Sequence, residues 1–222
     1  MDGIGAFIMA RTLPKLSDLV PRLREKVEKL AELHEAAFPE RALSLIWGLR
    51  TAAEQRAAYK AGRSKLDGVK RFSLHNYGLA ADLWVYTGDH DGDHAFFENR
   101  PPRDLGLKLQ LKRGALSMYY RPMGKLAEEA GLDSGAFWRM GDGPHVQLNK
   151  HDRMCALQEA LNDAGYHCGA VDGVIGKMTK KAIEAASGDA GKPWRVSWRA
   201  SRLMPLRPEL FRWLVEQGKP ST

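Results

Sequence analysis

Two short stretches of this chain carry residues whose types and spacing could do chemistry. The first is Ser73-Leu-His75-Asn-Tyr-Gly78-Leu-Ala80-Ala-Asp82, in which a histidine leaves a loop, a glycine permits a tight approach, and an aspartate follows on a strand face beside the small Ala80. The second is Asp142-Gly-Pro-His145. Together His75, Asp82 and His145 make a three-ligand set that leaves a tetrahedral zinc one open position for water. Asp142, three residues before His145, is close enough to reach that water without binding the metal. Zinc lowers the pKa of its water to about 7, so a nearby carboxylate can take the proton at neutral pH. Each pair alone also fits a hydrogen-bonded loop histidine and a strand-end aspartate, which are common. Both pairs, each in a Gly/Pro-rich turn next to a strand, favour the metal.

These residues need elements to hold them. Ser17 to Phe38 reads as an amphipathic helix, with Ser17 as N-cap, Pro21 in the first turn, and Val20, Leu23, Val27, Leu30, Leu33 and Ala37 at steps of three and four. Ala42 to Leu49 reads as a buried strand, and Thr51-x-x-Glu54 as a capping box for a short helix closing near Gly62. Gly62 to Arg71 is a basic loop. Leu79 to Tyr86 is a second strand with Ala80, Asp82 and Trp84 on one face. From Thr87 to Arg113 the pattern dissolves into a long insertion, whose Asp89-His90-Asp91-Gly92-Asp93-His94 segment lacks the glycine and acid positions of a calcium loop and reads as a solvated acidic stretch. A helix over Pro122 to Ala130 ends at Gly131, and His145 to Asn149 is a third strand. Lys150 to Arg153 reads as a polar hinge, followed by helices over Ala156 to Ala164, Lys177 to Ala186 and Arg207 to Gln217. The expected fold is α+β, a domain with an antiparallel sheet over residues 1–149 followed by a small three-helix bundle over 150–222.

Length and composition set the outer limits. The 222 residues are 44% hydrophobic and 27% charged, which excludes a disordered tail, a collagen-like fibre and a disulfide-dense miniprotein. A net charge of +7 favours polyanionic partners: nucleic acid, anionic membrane, or the polymers of a bacterial envelope. Cys155 and Cys168 are too few for a disulfide framework; a reduced pair and one local disulfide both fit. No apolar run reaches the roughly 20 residues of a membrane-spanning helix. The apolar stretch Gly3 to Ala10 lacks a basic n-region. The expectation is a monomer made in a cytoplasm and released to its target by something other than a standard signal.

The run SLHNYGLAAD resembles the SxHxxGxAxD motif of the zinc peptidases that include D-Ala-D-Ala dipeptidases, D,D-carboxypeptidases and L-alanyl-D-glutamate endolysins. Asp142-Gly-Pro-His145 resembles the second motif of that family, and Gly48-Leu-Arg50-Thr-Ala-Ala-Glu54-Gln55 with Gly62-Arg63-Ser64 resembles its upstream segment. The resemblance implies zinc held by His75, Asp82 and His145, Asp142 as general base, and Arg50 near the substrate carbonyl, where a permanently charged guanidinium can donate to a developing oxyanion. Ser73, Gln55 and Trp138 fall on the substrate side of this reading, with Gln55 also able to hold the loop or Arg50 in place. The stretch Ser134-Gly-Ala-Phe-Trp138 departs from the tryptophan- and glycine-rich segment of the endolysin branch, and Trp138 fits a cleft wall or a core position equally.

Further on, Ala156-Leu157-Gln158-x-x-Leu161-x-x-x-Gly165-Tyr166 and Gly169-x-Val171-Asp172-Gly173-x-x-Gly176-x-x-Thr179 resemble the three-helix peptidoglycan-binding domain of wall hydrolases. Lys192 to Arg212 carries six cations against Glu209, with Trp194 and Trp198 interleaved and Trp213 just beyond. Such a pattern suits sugar stacking on an anionic polymer and also single-stranded nucleic acid; the resemblance favours the wall over nucleic acid. With GLRTAAEQ and SLHNYGLAAD closer to the endolysin branch, the two resemblances imply a peptidoglycan hydrolase that cuts the L-Ala-D-Glu bond of the stem peptide, and the lack of a standard signal fits a phage lysin or a virion-carried enzyme. The alternatives are a D,D-carboxypeptidase or endopeptidase acting on D-Ala bonds, and a non-catalytic wall-binding protein.

Overall fold

The computed structural model describes residues 16–87, 116–139, 141–191 and 204–218. The fold is α+β, built on one four-stranded antiparallel sheet in the order β1-β2-β4-β3. The strands are β1 (Arg41–Trp47), β2 (Ala80–Thr87), β3 (Leu132–Ser134) and β4 (His145–Leu148). The helices are α1 (Pro21–Ala37), α2 (Ala52–Lys60), α3 (Arg121–Glu129), α4 (Lys150–Asp163), α5 (Lys177–Asp189) and α6 (Pro208–Gln217).

Alternation along the strands divides the sheet into a core face and a site face. Leu43 and Leu45 of β1 oppose Val85 and Leu83 of β2, and Ala81 opposes Val146 of β4. All of these are buried, together with Leu23, Val27 and Leu30 of α1 and Met123 and Ala127 of α3. The opposite face carries Asp82, which pairs directly with His145, and Gln147, which pairs with Asp133 of β3. Because side chains alternate with period two, this register puts the chemistry on one side and the grease on the other; a one-residue slip would exchange them.

Local rules explain most boundaries. Thr51 and Glu54 close the capping box expected from the sequence, the Thr51 hydroxyl accepting from Glu54 N at 3.2 Å and the Glu54 carboxylate accepting from Thr51 N at 2.8 Å. Ser17, by contrast, does not cap the first helix. It lies in a 3-10 turn over Leu16–Asp18, and α1 starts at Pro21 with Val20 as N-cap, because the fixed φ of proline suits the first helical position. The three-residue strand β3 and the 3-10 turn Gly135–Phe137 were not expected; Leu132-Asp-Ser134 has too little alternation to announce a strand.

The expected hinge is also revised. Lys150–Arg153 is the first turn of α4, N-capped by Asn149, whose side chain accepts from Asp152 N at 2.9 Å. Its polarity serves a part-buried ion cluster: Asp152 receives Arg22 at 3.0 Å and Lys26 at 3.1 Å from α1, and Arg22 also pairs with Glu159. Leu157, Leu161 and Ile183 are fully buried, as expected of core positions. Cys155 and Cys168 are buried free thiols. The insertion beyond Thr87, and Lys192, Trp194, Arg195, Trp198, Arg199 and Arg202, lie outside the described residues.

His34, on the buried stripe of α1, is 1% exposed and its Nε2 has no hydrogen-bond partner among the described residues. Burial, helped by the nearby Arg41, lowers its pKa from 6.5 to about 4. Above pH 6.5 it is neutral folded and unfolded alike. As pH falls from 6.5 towards 4 the unfolded chain takes up the proton first, so stability drops, by about 3 kcal/mol for a shift of this size. Urea unfolding of wild type and His34→Leu at pH 7 and pH 4.5 should show a smaller acid loss in the variant; equal losses would remove His34 from the account.

Candidate metal centre and active site

Three elements deliver the candidate ligands. His75 sits in a 3-10 turn, Leu74–Tyr77, capped by Ser73 and closed by Gly78 in the left-handed region (φ 72°), a conformation that suits glycine. Asp82 and His145 come from β2 and β4 at paired positions. A break in register between Leu45 and Trp47 sets Trp47 beside Asp82 and turns the chain towards Gly48 and Arg50.

The structure brings His75, Asp82 and His145 together, all three candidate ligand atoms lying within 4.8 Å of one another. His145 Nδ1 is 3.1 Å and His75 Nε2 3.2 Å from Asp82 Oδ1, and the two nitrogens are 3.3 Å apart. The edge of a tetrahedron around zinc with ligand bonds of 2.0 to 2.1 Å is about 3.3 to 3.4 Å, so the trio matches one face of such a tetrahedron. The other ring nitrogens fix the tautomers. His75 Nδ1 donates to the Gly48 carbonyl at 2.9 Å, and His145 Nε2 donates to Gln147 Oε1 at 3.1 Å. Both inner nitrogens therefore present lone pairs to the centre, beside a carboxylate oxygen. Only a cation or a shared proton relieves that arrangement, and the donor set fits zinc.

A shared proton would bind the same three groups together. Burial opposes the charged form of Asp82, but the charges and hydrogen bonds of His75 and His145 outweigh it and hold the carboxyl well below the usual range. For His145, burial works against protonation and is outweighed by Asp82, so its pKa is raised. Asp142 keeps contact with solvent at the mouth of the cleft; desolvation and then the charge of Asp82 push its pKa up. A raised carboxyl pKa makes a better proton acceptor than a surface aspartate, and a cation at the centre would draw it back down.

Arg50 stands beside this cluster, its Nη2 3.6 Å from Asp82 Oδ2 and its guanidinium 5.3 Å from the centre of the Trp47 ring. Gln55 is fully buried and accepts from Arg50 Nη1 at 3.1 Å, while its amide donates to Ser64 Oγ at 2.8 Å and Leu66 O at 2.7 Å. Ser73 is 7% exposed, its hydroxyl accepting from His75 N at 3.3 Å. Ser73 was expected on the substrate side, and Gln55 there or as a holder of the loop and Arg50; Gln55 bonds to Arg50 and the basic loop, and Ser73 to the ligand turn. Trp138 is 37% exposed with its ring 5.0 Å from that of His145, open to the solvent side of the centre. Asp82, Asp142, Arg50, Trp47, Trp84 and Arg63 line a cleft of about 370 Å³.

Sequence reasoning missed three supports. Gln147, two residues after His145 and hence on the same strand face, holds the His145 ring and donates to Asp133 Oδ2 at 3.4 Å; the period of the strand was the available signal. The Gly48 carbonyl had none. Gly135 is the third. Asp142 N and Trp138 N both donate to its carbonyl, at 2.9 and 3.1 Å. A Cβ there would collide with the Asp142 carbonyl and lie 3.1 Å from both Asp142 Cβ and His145 Cβ. Gly135→Ala should therefore displace the turn that carries Asp142 and His145, lowering turnover by about 10²-fold for a displacement near 1 Å. Turnover within twofold of wild type would show that this turn tolerates the shift.

In the C-terminal helices, the loop between α4 and α5 folds around the buried Gln158 side chain. Its oxygen accepts from Asp172 N and Gly173 N at 3.1 and 2.7 Å, and its amide donates to Asp172 Oδ1 at 2.9 Å and Val174 O at 3.1 Å. Asp172 in turn accepts from Val174 N at 2.9 Å.

The site is thus that of an α+β protein with a His-Asp-His cluster suited to a divalent metal, joined to a helical part. Residues 150–191 match the family model described as "Putative peptidoglycan binding domain". No curated protein matches the chain. Among solved structures it is similar to Serratia marcescens L-Ala D-Glu endopeptidase ChiX, with 21% identity, a TM-score of 0.40, and coverage of 62% of this chain and 85% of that one. No helix among the described residues is long and apolar enough to cross a membrane.

Proposed function

We propose that this protein is a zinc peptidase of the bacterial cell wall that cleaves the stem peptide of peptidoglycan, at the L-Ala-D-Glu bond. The observation that carries the reading is the convergence of His75 Nε2, Asp82 Oδ1 and His145 Nδ1 with both outer ring nitrogens committed to carbonyl oxygens. The peptidoglycan-binding match over 150–191 supports the wall as the place of action, and the resemblance of SLHNYGLAAD and GLRTAAEQ to the endolysin branch supports the bond.

When bound, zinc supplies a Lewis acid and lowers the pKa of water to about 7. The residues of the chain do the rest. Asp142, on the cleft wall three residues before His145, accepts the proton of the attacking water and passes it to the leaving amine. Arg50, held by Gln55, donates to the carbonyl oxygen as it gains charge. Trp138 and Trp84 flank the approach to the centre.

Turbidity loss of purified sacculi tests the metal reading. The protein should clear sacculi, lose activity after chelation and dialysis, and regain it with stoichiometric zinc. Clearing that survives complete chelation would contradict a metal mechanism.

A further inference from the structure

The last of the described helices, α6, reaches beyond the peptidoglycan-binding segment. Residues 204–218 follow the 150–191 segment that matches the peptidoglycan-binding model, and α6 packs both on α4 of that segment and on the four-residue turn that delivers His75. Tyr77, two residues after His75 and 1% exposed, donates its hydroxyl to the Leu206 carbonyl at 2.9 Å. Its ring meets that of Phe211, itself fully buried, edge-on with centroids 5.9 Å apart. Arg212 Nη1 donates to Asp18 O at 3.3 Å, and Val20 N donates to Gly78 O at 3.1 Å. At Gly78 the three segments meet so closely that a Cβ would lie 3.1 Å from Asp18 O and 3.2 Å from Arg212 Nη1.

The same turn faces the site on its other side. The His75 carbonyl accepts from Arg50 N at 2.9 Å, and Asn76 Nδ2 donates to Arg50 O at 2.9 Å. One short turn therefore orients both the candidate ligand His75 and the candidate oxyanion donor Arg50, and α6 grips it from behind. We propose that residues 204–218 are a positioning element of the metal centre, with Tyr77 and Phe211 as the contact through which they act. This rests on the metal-centre reading above. The catalytic unit then runs past residue 149 to include the C-terminal helix, and the peptidoglycan-binding loop lies between two segments that serve the site. The helix completes the core against α4 and, through Leu206 and Phe211, also touches the ligand turn itself.

Zinc affinity of the full-length protein, measured by competition with a chromophoric chelator at 25 °C, tests the idea. Tyr77→Phe removes one hydrogen bond and keeps the ring; Phe211→Leu loosens the ring contact; Ile183→Ala opens the core in α5 and is the control for general destabilisation. Residues that orient a metal ligand typically change affinity by about 10- to 100-fold when lost. Tyr77→Phe and Phe211→Leu should weaken zinc binding by about tenfold. Ile183→Ala should bind zinc as wild type does, although its melting midpoint falls at least as far. Wild-type zinc affinity in both Tyr77→Phe and Phe211→Leu would overturn the proposal, as would an equal loss in Ile183→Ala. A wild-type protein that binds no zinc would overturn the metal centre itself.

Discussion

His75→Ala, Asp82→Ala and His145→Ala are each expected to abolish zinc retention and hydrolysis together. Each removes one corner of a triangle whose edges are 3.1 to 3.3 Å, and the two remaining atoms cannot hold a tetrahedral ion against water. The Asp82 variant should be the most severe, because that carboxylate supplies both a bond and the only formal negative charge of the trio; Asp82→Asn should therefore lose zinc as well. A ligand that binds only the folded state stabilises it by about 2.7 kcal/mol at a concentration one hundred times its Kd. Wild type should thus melt later when zinc is added, and the three variants should not. A zinc-dependent rise in melting midpoint that survives in all three would place the metal elsewhere.

Asp142→Asn should separate catalysis from metal binding. Asp142 lines the cleft and sits three residues before His145, but the cluster that converges on the centre is His75, Asp82 and His145 without it. The asparagine keeps the shape of the turn, including the backbone bonds from Asp142 N to Gly135 O and from His145 N to Asp142 O. What it loses is basicity, and proton transfer by a positioned group is worth about 10² to 10⁴ in rate. The variant should hold stoichiometric zinc, melt near the wild-type midpoint, and hydrolyse muropeptides at least about 10²-fold more slowly. Normal hydrolysis would end the base assignment, and loss of zinc would make Asp142 a ligand.

How much of this was legible in the sequence follows from the range over which each feature is determined. His75 and Asp82 share one motif, and the capping box at Thr51 spans four residues, so both could be read directly. The direct pairing of Asp82 with His145 joins residues far apart in the chain, and no local pattern sets a strand register of that kind. The Gly48 carbonyl bonded to His75 was hidden for the same reason, since backbone carbonyls carry no sequence signature. Gln147 was partly visible through the period of β4. The polar run Lys150–Arg153 misled because polarity signals a linker and a buried ion cluster alike; only the arrival of Arg22 and Lys26 from α1 decides between them. Gln55 and Ser73 stand in motifs that also hold candidate catalytic groups, yet motif membership does not distinguish a residue that touches substrate from one that holds its neighbour.

Mass spectrometry of the muropeptides released from sacculi tests the central claim most directly, because new termini name the bond that was cut. The account predicts stem peptides that begin with D-Glu and glycan fragments that end in L-Ala, formed by zinc-loaded wild type and at least about 10²-fold more slowly by Asp142→Asn. Release of free D-Ala, cleavage within the glycan strand, or an unchanged muropeptide profile with zinc bound would contradict it.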